Sequence, residues 1–173
     1  QQSVDALIQA GVTEVKIKSD AAVITLDLAT LQAAQAVAGG AVKVSAQPVQ
    51  ASTLSAAAQA AIGDRPVFRL TMTSGGEAVT SFGDGAVSVA LPYELQSGEK
   101  AGNLCGVYVD DSGQVTYITN SSYNANTKML MFTTPHFSIF GIGYQEDAPV
   151  FTDITGHWAE DDIEFVAALG LLS

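Results

Sequence analysis

The chain has 173 residues and a mass of 17.9 kDa. Its 7 basic and 18 acidic side chains give a formal charge of -11. Such a surface repels nucleic-acid phosphates and anionic lipid, so neither nucleic acid nor a membrane is an expected partner. Hydrophobic residues make up 47% and charged residues 14%, which excludes general disorder, and no run of about 18 apolar residues offers a bilayer-spanning helix.

Ser3 is a helix N-cap candidate with Val4, Leu7 and Ile8 on one face and Gly11 as the stop. Val15 and Ile17 then alternate with Lys16 and Lys18, Ser19-Asp20 is a turn signal, and Ala22, Ile24 and Leu26 alternate with Val23 and Thr25. This pattern predicts a hairpin. Asp27 is the predicted N-cap of a helix carrying Leu28, Leu31, Ala34 and Ala38, ended by Gly39-Gly40. Val42, Val44 and Ala46 form a strand closed by Pro48. Ser52 or Thr53 is the expected cap of an Ala-rich helix with Leu54, Ala57, Ala58, Ala61 and Ile62 on one face and Gly63 as its stop.

From Pro66 the periodicity is that of strands. Phe68, Leu70 and Met72 alternate with Arg69, Thr71 and Thr73 up to the Gly75-Gly76 turn, and Val87, Val89 and Leu91 continue the pattern to Pro92. Val107 and Val109 lead into Asp110-Asp111-Ser112-Gly113, a hairpin turn, and Val115, Tyr117 and Thr119 lie on the return strand. Residues 120–127 read as a polar loop. Met129 and Met131, then Phe137, Ile139, Phe140 and Ile142, supply the last two strands. The expected fold class is α+β, mainly β. It is an antiparallel β-sandwich body with Phe68, Leu70, Val87, Val89, Val107, Met131 and Ile139 inside, a few short N-terminal helices and a C-terminal helix. The expected divisions are an α+β part at 1–65, a sandwich part at 66–145 that either joins it or stands beside it, an acidic linker at 146–150, and a tail at 151–173.

The tail reads Phe151-Thr152-Asp153-Ile154-Thr155-Gly156-His157-Trp158-Ala159-Glu160, followed by Ile163 and Gly170. It resembles the opening of an S-layer homology module, F-x-D-[IV]-x-x-H-W-A-E with a later Ile and a helix-ending Gly. The part of the family pattern that binds polymer, Thr-Arg-Ala-Glu, is not in the chain. The preceding residues, including Gly63-Asp64-Arg65-Pro66 and Val87-Ser88-Val89-Ala90-Leu91-Pro92-Tyr93, are similar to stalk-like modules that precede such repeats in surface proteins of Gram-positive Firmicutes. The resemblance implies an extracellular, wall-attached location. It also implies a cell-wall polymer as partner of the complete modules of a parent protein, with a glycan or a host protein left open as ligand of the body. The ends of the chain, Gln1-Gln2-Ser3 without Met and Leu172-Ser173 within an apolar pattern, are expected of a piece of such a parent.

His136-Phe137-Ser138 is the sharpest chemical signal. In self-cleaving proteins a serine hydroxyl attacks the preceding carbonyl, a histidine two residues earlier acts as base, and the resulting ester is hydrolysed. His136 and Ser138 are therefore the alternative catalytic pair. The plainer reading has Phe137 plugging the core and the other two at a strand end. His157-Trp158 could form a sugar platform, but the Trp in that pattern is mostly a packing residue. Asp110-Asp111-Ser112-Gly113 and the Asp153, Asp161, Asp162 set lack EF-hand spacing, and turn chemistry and helix-end charge account for them. Cys105 is the single cysteine, so neither an internal disulfide nor a thiolate metal cluster is expected, and no cofactor is implied. The leading expectation is a non-catalytic spacer or adhesive stalk. The alternatives are an autoproteolytic domain and a glycan-binding module accessory to a surface enzyme.

Overall fold

The structure is a computed structural model that describes residues 10–38 and 40–145. The Ser3 helix, the linker and the S-layer-like tail lie outside the described residues. The fold is α+β and mainly β, with two antiparallel sheets.

Alternating Val15 and Ile17 make β1 (Glu14–Lys18), which pairs with β2 (Val23–Asp27). The Ser19 turn joins them, its hydroxyl donating to Ala22 O at 3.0 Å. Asp27 ends β2 and caps α1 (Leu28–Ala38), its carboxylate accepting from Thr30 N at 2.7 Å. The same carboxylate accepts from Ala86 N at 3.0 Å, which pins the start of β6 (Val87–Pro92) beside the helix. β3 (Val42–Pro48) follows α1, and a 3-10 turn at Ala51–Thr53 precedes α2 (Ala56–Ile62).

The cap of α2 differs from expectation. Thr53 Oγ1 donates to Gln50 O within the 3-10 turn, and Ser55 is the residue whose hydroxyl accepts from Ala58 N. Ala57 is exposed and Leu54 precedes the helix, so the buried face is Ala58, Ala61 and Ile62.

The remaining strands are β4 (Val67–Ser74), β5 (Glu77–Ala78), β7 (Leu104–Val109), β8 (Val115–Ile118), β9 (Ser122–Asn124), β10 (Met129–Thr134) and β11 (Ile139–Tyr144). β9 lies in the stretch expected to be a polar loop. It pairs with β10, with Tyr123 opposite Leu130. One sheet runs β1-β2-β6-β10-β9, and the other runs β3-β4-β11-β7-β8 with β5 beside β4. Strands from residues 14–48 thus lie in both sheets.

Two apolar layers result. Ile24, Leu26, Val87, Val89, Leu91, Leu130 and Phe132 of the first sheet meet Phe68, Leu70, Met72, Phe140 and Ile142 of the second. Val67, Val107, Val109 and Ile139 point the other way and are covered by α2 through Ala58, Ala61 and Ile62. Gly141 and Gly143 let that helix approach. A Cβ on Gly141 would stand 3.0 Å from Ile62 Cδ1, and one on Gly143 would stand 3.3 Å from Ala61 O.

Met131 corrects the expected core. It is 42% exposed, whereas Leu130 and Phe132 are buried. Met131 lies opposite Ala90, itself opposite Val23, on the outer face of the first sheet.

Candidate functional site

The chain leaves β10 at Thr134 and turns through Pro135 before β11 begins at Ile139. Thr134 Oγ1 shapes the turn by donating to His136 O at 2.8 Å, and Phe82 N donates to Pro135 O at 3.3 Å. The His136 ring lies edge-on to Tyr108 at 4.9 Å and stacks on Phe140 at 6.1 Å. Phe137 is half-buried against the main core and meets Phe82 edge-on at 5.0 Å. Phe137 precedes β11 rather than lying in it.

Ser138 is tied to the second sheet on both sides. Its hydroxyl donates to Val109 O at 3.2 Å, and its carbonyl accepts from Leu70 N at 2.8 Å. Acyl transfer would require that hydroxyl to abandon Val109 and reach the Phe137 carbonyl carbon. Left-handed backbone strain is not stored here. Among the described residues, the non-glycine residue with positive φ is Lys128. The tripeptide thus sits where its aromatic and hydroxyl groups serve packing and sheet registration.

A second polar cluster, which the sequence reading missed, joins three distant segments. Glu99, in the connection from β6 to β7, receives Arg65 Nε at 2.8 Å and Nη2 at 2.5 Å on Oε1. Its Oε2 receives the Tyr93 hydroxyl at 2.6 Å and Gln96 N at 2.9 Å. The ion pair is largely shielded, with side-chain exposures of 18% for Arg65 and 9% for Glu99. The Arg65 guanidinium also lies over the Tyr144 ring, 5.0 Å from its centroid, and donates to Ile62 O at 3.1 Å. Burial pushes the Glu99 carboxyl upward, but the bonds from Tyr93, Gln96 and Arg65 outweigh it and hold the group below its ordinary value. Burial, then the hydrogen bond and charge of Glu99, push the Tyr93 phenol up to about 12. No local motif announces this cluster, because Arg65 and Glu99 are 34 positions apart.

The acidic turn is also accounted for. Asp110 Oδ1 accepts from Ser112 Oγ at 2.6 Å and from the N–H groups of Ser112 and Gln114 at 2.8 Å each. The Ser112 hydroxyl and the Gln114 N–H hold its carboxyl below the usual range. Among the described residues no group of three or more His, Cys, Asp or Glu side chains could hold a metal ion. No helix among them is long and apolar enough to cross a membrane. Cys105 is partly buried in β7, and burial pushes its thiol up to about 11. The S-layer motif positions Phe151, Asp153, His157, Trp158, Ala159, Glu160, Ile163 and Gly170 lie outside the described residues. Comparison of the chain with family models, with curated proteins and with solved structures returns no match.

Proposed function

We propose that this chain is a non-catalytic, extracellular spacer or adhesive stalk module of a wall-anchored surface protein. The observation that carries the reading is the run Phe151 to Glu160, which resembles the start of an S-layer homology module and comes after the sandwich part in the sequence. The body supports it in a second way. Four polar side chains of the body are engaged in holding the fold: Asp27 caps α1, Asp110 shapes a hairpin, Ser138 bonds β7, and Glu99 binds Arg65 and Tyr93. A spacer needs a closed sandwich with its strands paired, and does not need a cleft of convergent acids and bases.

In this reading the wall polymer is bound by complete S-layer homology modules of the parent, and the sandwich holds them apart from an effector region. The test is sedimentation with purified cell-wall sacculi. The chain extended through complete modules should co-sediment, and the chain ending at Ser173 should stay in the supernatant. Equal sedimentation of both would overturn the division of labour, and recovery of the intact parent from the cytosol would overturn the location.

A further inference from the structure

We propose that Arg65, Glu99, Tyr93 and Tyr144 form a latch that opens as a unit. Its opening frees residues 94–103 and the end of β11 while the two sheets stay folded. The inference stands on the geometry of the cluster and is independent of the stalk reading.

Residues 94–103 connect β6 to β7 with little apolar anchorage. Glu94, Gln96, Ser97, Gly98 and Lys100 are exposed, and Leu95 is half-buried. What holds the connection is polar. Glu99 gathers donors from the α2–β4 turn through Arg65, from the end of β6 through Tyr93, and from its own segment through Gln96 N. The same segment then grips the last strand. Lys100 N donates to Tyr144 OH at 3.2 Å, Asn103 Nδ2 donates to Gln145 O at 2.7 Å, and Gln145 N donates to Asn103 O at 2.9 Å. Arg65 touches both parts, bonding Glu99 and covering the Tyr144 ring.

Glu99 is the keystone of the cluster itself, while Glu94 pairs with Lys128 and Asn103 bonds Gln145 at the two ends of the connection. If Glu99 lets go, Arg65 keeps Ile62 O and the Tyr144 face, but the connection loses its bonds to Arg65 and Tyr93 together with its internal bond from Gln96 N. Most of the strand ladders lie beyond its reach. β6 remains paired with β2 and β10, and β11 with β4 and β7 up to Gly143, so that only the terminal Tyr144–Leu104 rung and the adjoining Asn103–Gln145 pair come loose. An exposed connection with few buried apolar contacts belongs to the part of a fold that opens locally, well below the free energy of global unfolding. Closed, the latch holds Gln145 against Asn103. Open, it lets Gln145 move.

Residue-resolved hydrogen exchange on the full chain tests this. The amides of Asn103 and Gln145 should exchange faster than those of the β6–β10 ladder, at rates insensitive to low denaturant. Glu99→Gln should accelerate exchange at Asn103 and Gln145 about tenfold or more and leave the β6–β10 amides within about twofold. Tyr93→Phe, a milder change that removes one bond to Glu99, should give the same pattern at about threefold and serves if Glu99→Gln does not fold. Acceleration of the β6–β10 amides in step with Gln145, or an unchanged rate at Gln145, would overturn the latch.

Discussion

A Cβ placed on Gly40 would stand 2.4 Å from the Gly75 Cα and 2.8 Å from its nitrogen. The turn after α1 and the β4–β5 hairpin thus meet backbone to backbone. Gly75 is itself left-handed at φ 58° and faces the Ala38 carbonyl. Gly40→Ala should cost about 3 kcal/mol, at the upper end of overpacking penalties, because backbone rather than a pliable side chain must move. Equilibrium denaturation measures this, and a loss under about 1 kcal/mol would show that the two turns can separate cheaply.

The two neighbours Leu130 and Met131 should behave oppositely. Leu130 is fully buried between the sheets, so Leu130→Ala should cost about 3 kcal/mol. Met131 points outward, and Met131→Ala should stay within about 0.5 kcal/mol. A larger cost at Met131 in the isolated chain would mean that the outer face of the first sheet is covered.

The neighbouring pair also shows what patterning can and cannot reveal. Most of the strands, the hairpins and the Asp27 cap were legible because alternation and turn residues agree there, whereas β9 was hidden in a polar stretch. Met129-Leu130-Met131-Phe132 is apolar throughout, so alternation carries no phase and either parity fits. The cap of α2 was ambiguous because Ser52, Thr53 and Ser55 all carry hydroxyls, and the 3-10 turn takes up Thr53. His136-Phe137-Ser138 was visible as a motif, but the partners of its side chains, Val109 and the Tyr108 and Phe140 rings, come from other strands.

Stability should fall at both ends of the pH scale for identifiable reasons. Burial tends to raise the Asp27 carboxyl, but the bonds from Ala86 and Thr30 prevail and leave it below 3.8 in the folded protein. Glu99 is likewise held below 4.5. Groups depressed on folding stabilise above their unfolded values, and that contribution is lost as pH falls below about 4 through the folded values. Acid unfolding followed by circular dichroism should therefore be shallower in Asp27→Asn and in Glu99→Gln. Tyr93 has the opposite sense. Its phenol is raised from 10.0 to about 12, so its contribution is complete below pH 10 and fades as pH rises toward 12. Tyr93→Phe should remove that alkaline decline, and an unchanged profile would place the cause elsewhere.

The Phe137–Ser138 bond should stay intact. With the Ser138 hydroxyl on Val109 O, denaturing mass spectrometry of purified protein should show one species near 17.9 kDa. Two fragments that merge into one chain in Ser138→Ala would instead establish self-cleavage.

β11, the last of the described strands, fills the middle of the second sheet, between β4 and β7, and with them supplies the surface on which α2 lies. Until Ile139–Tyr144 arrives, β3-β4 and β7-β8 are two half-sheets with unpaired edges. The first sheet can pair without β11, but a chain made from its N-terminus must keep the two halves of the second sheet waiting for it. In the meantime the exposed edges of the two half-sheets must be shielded from one another.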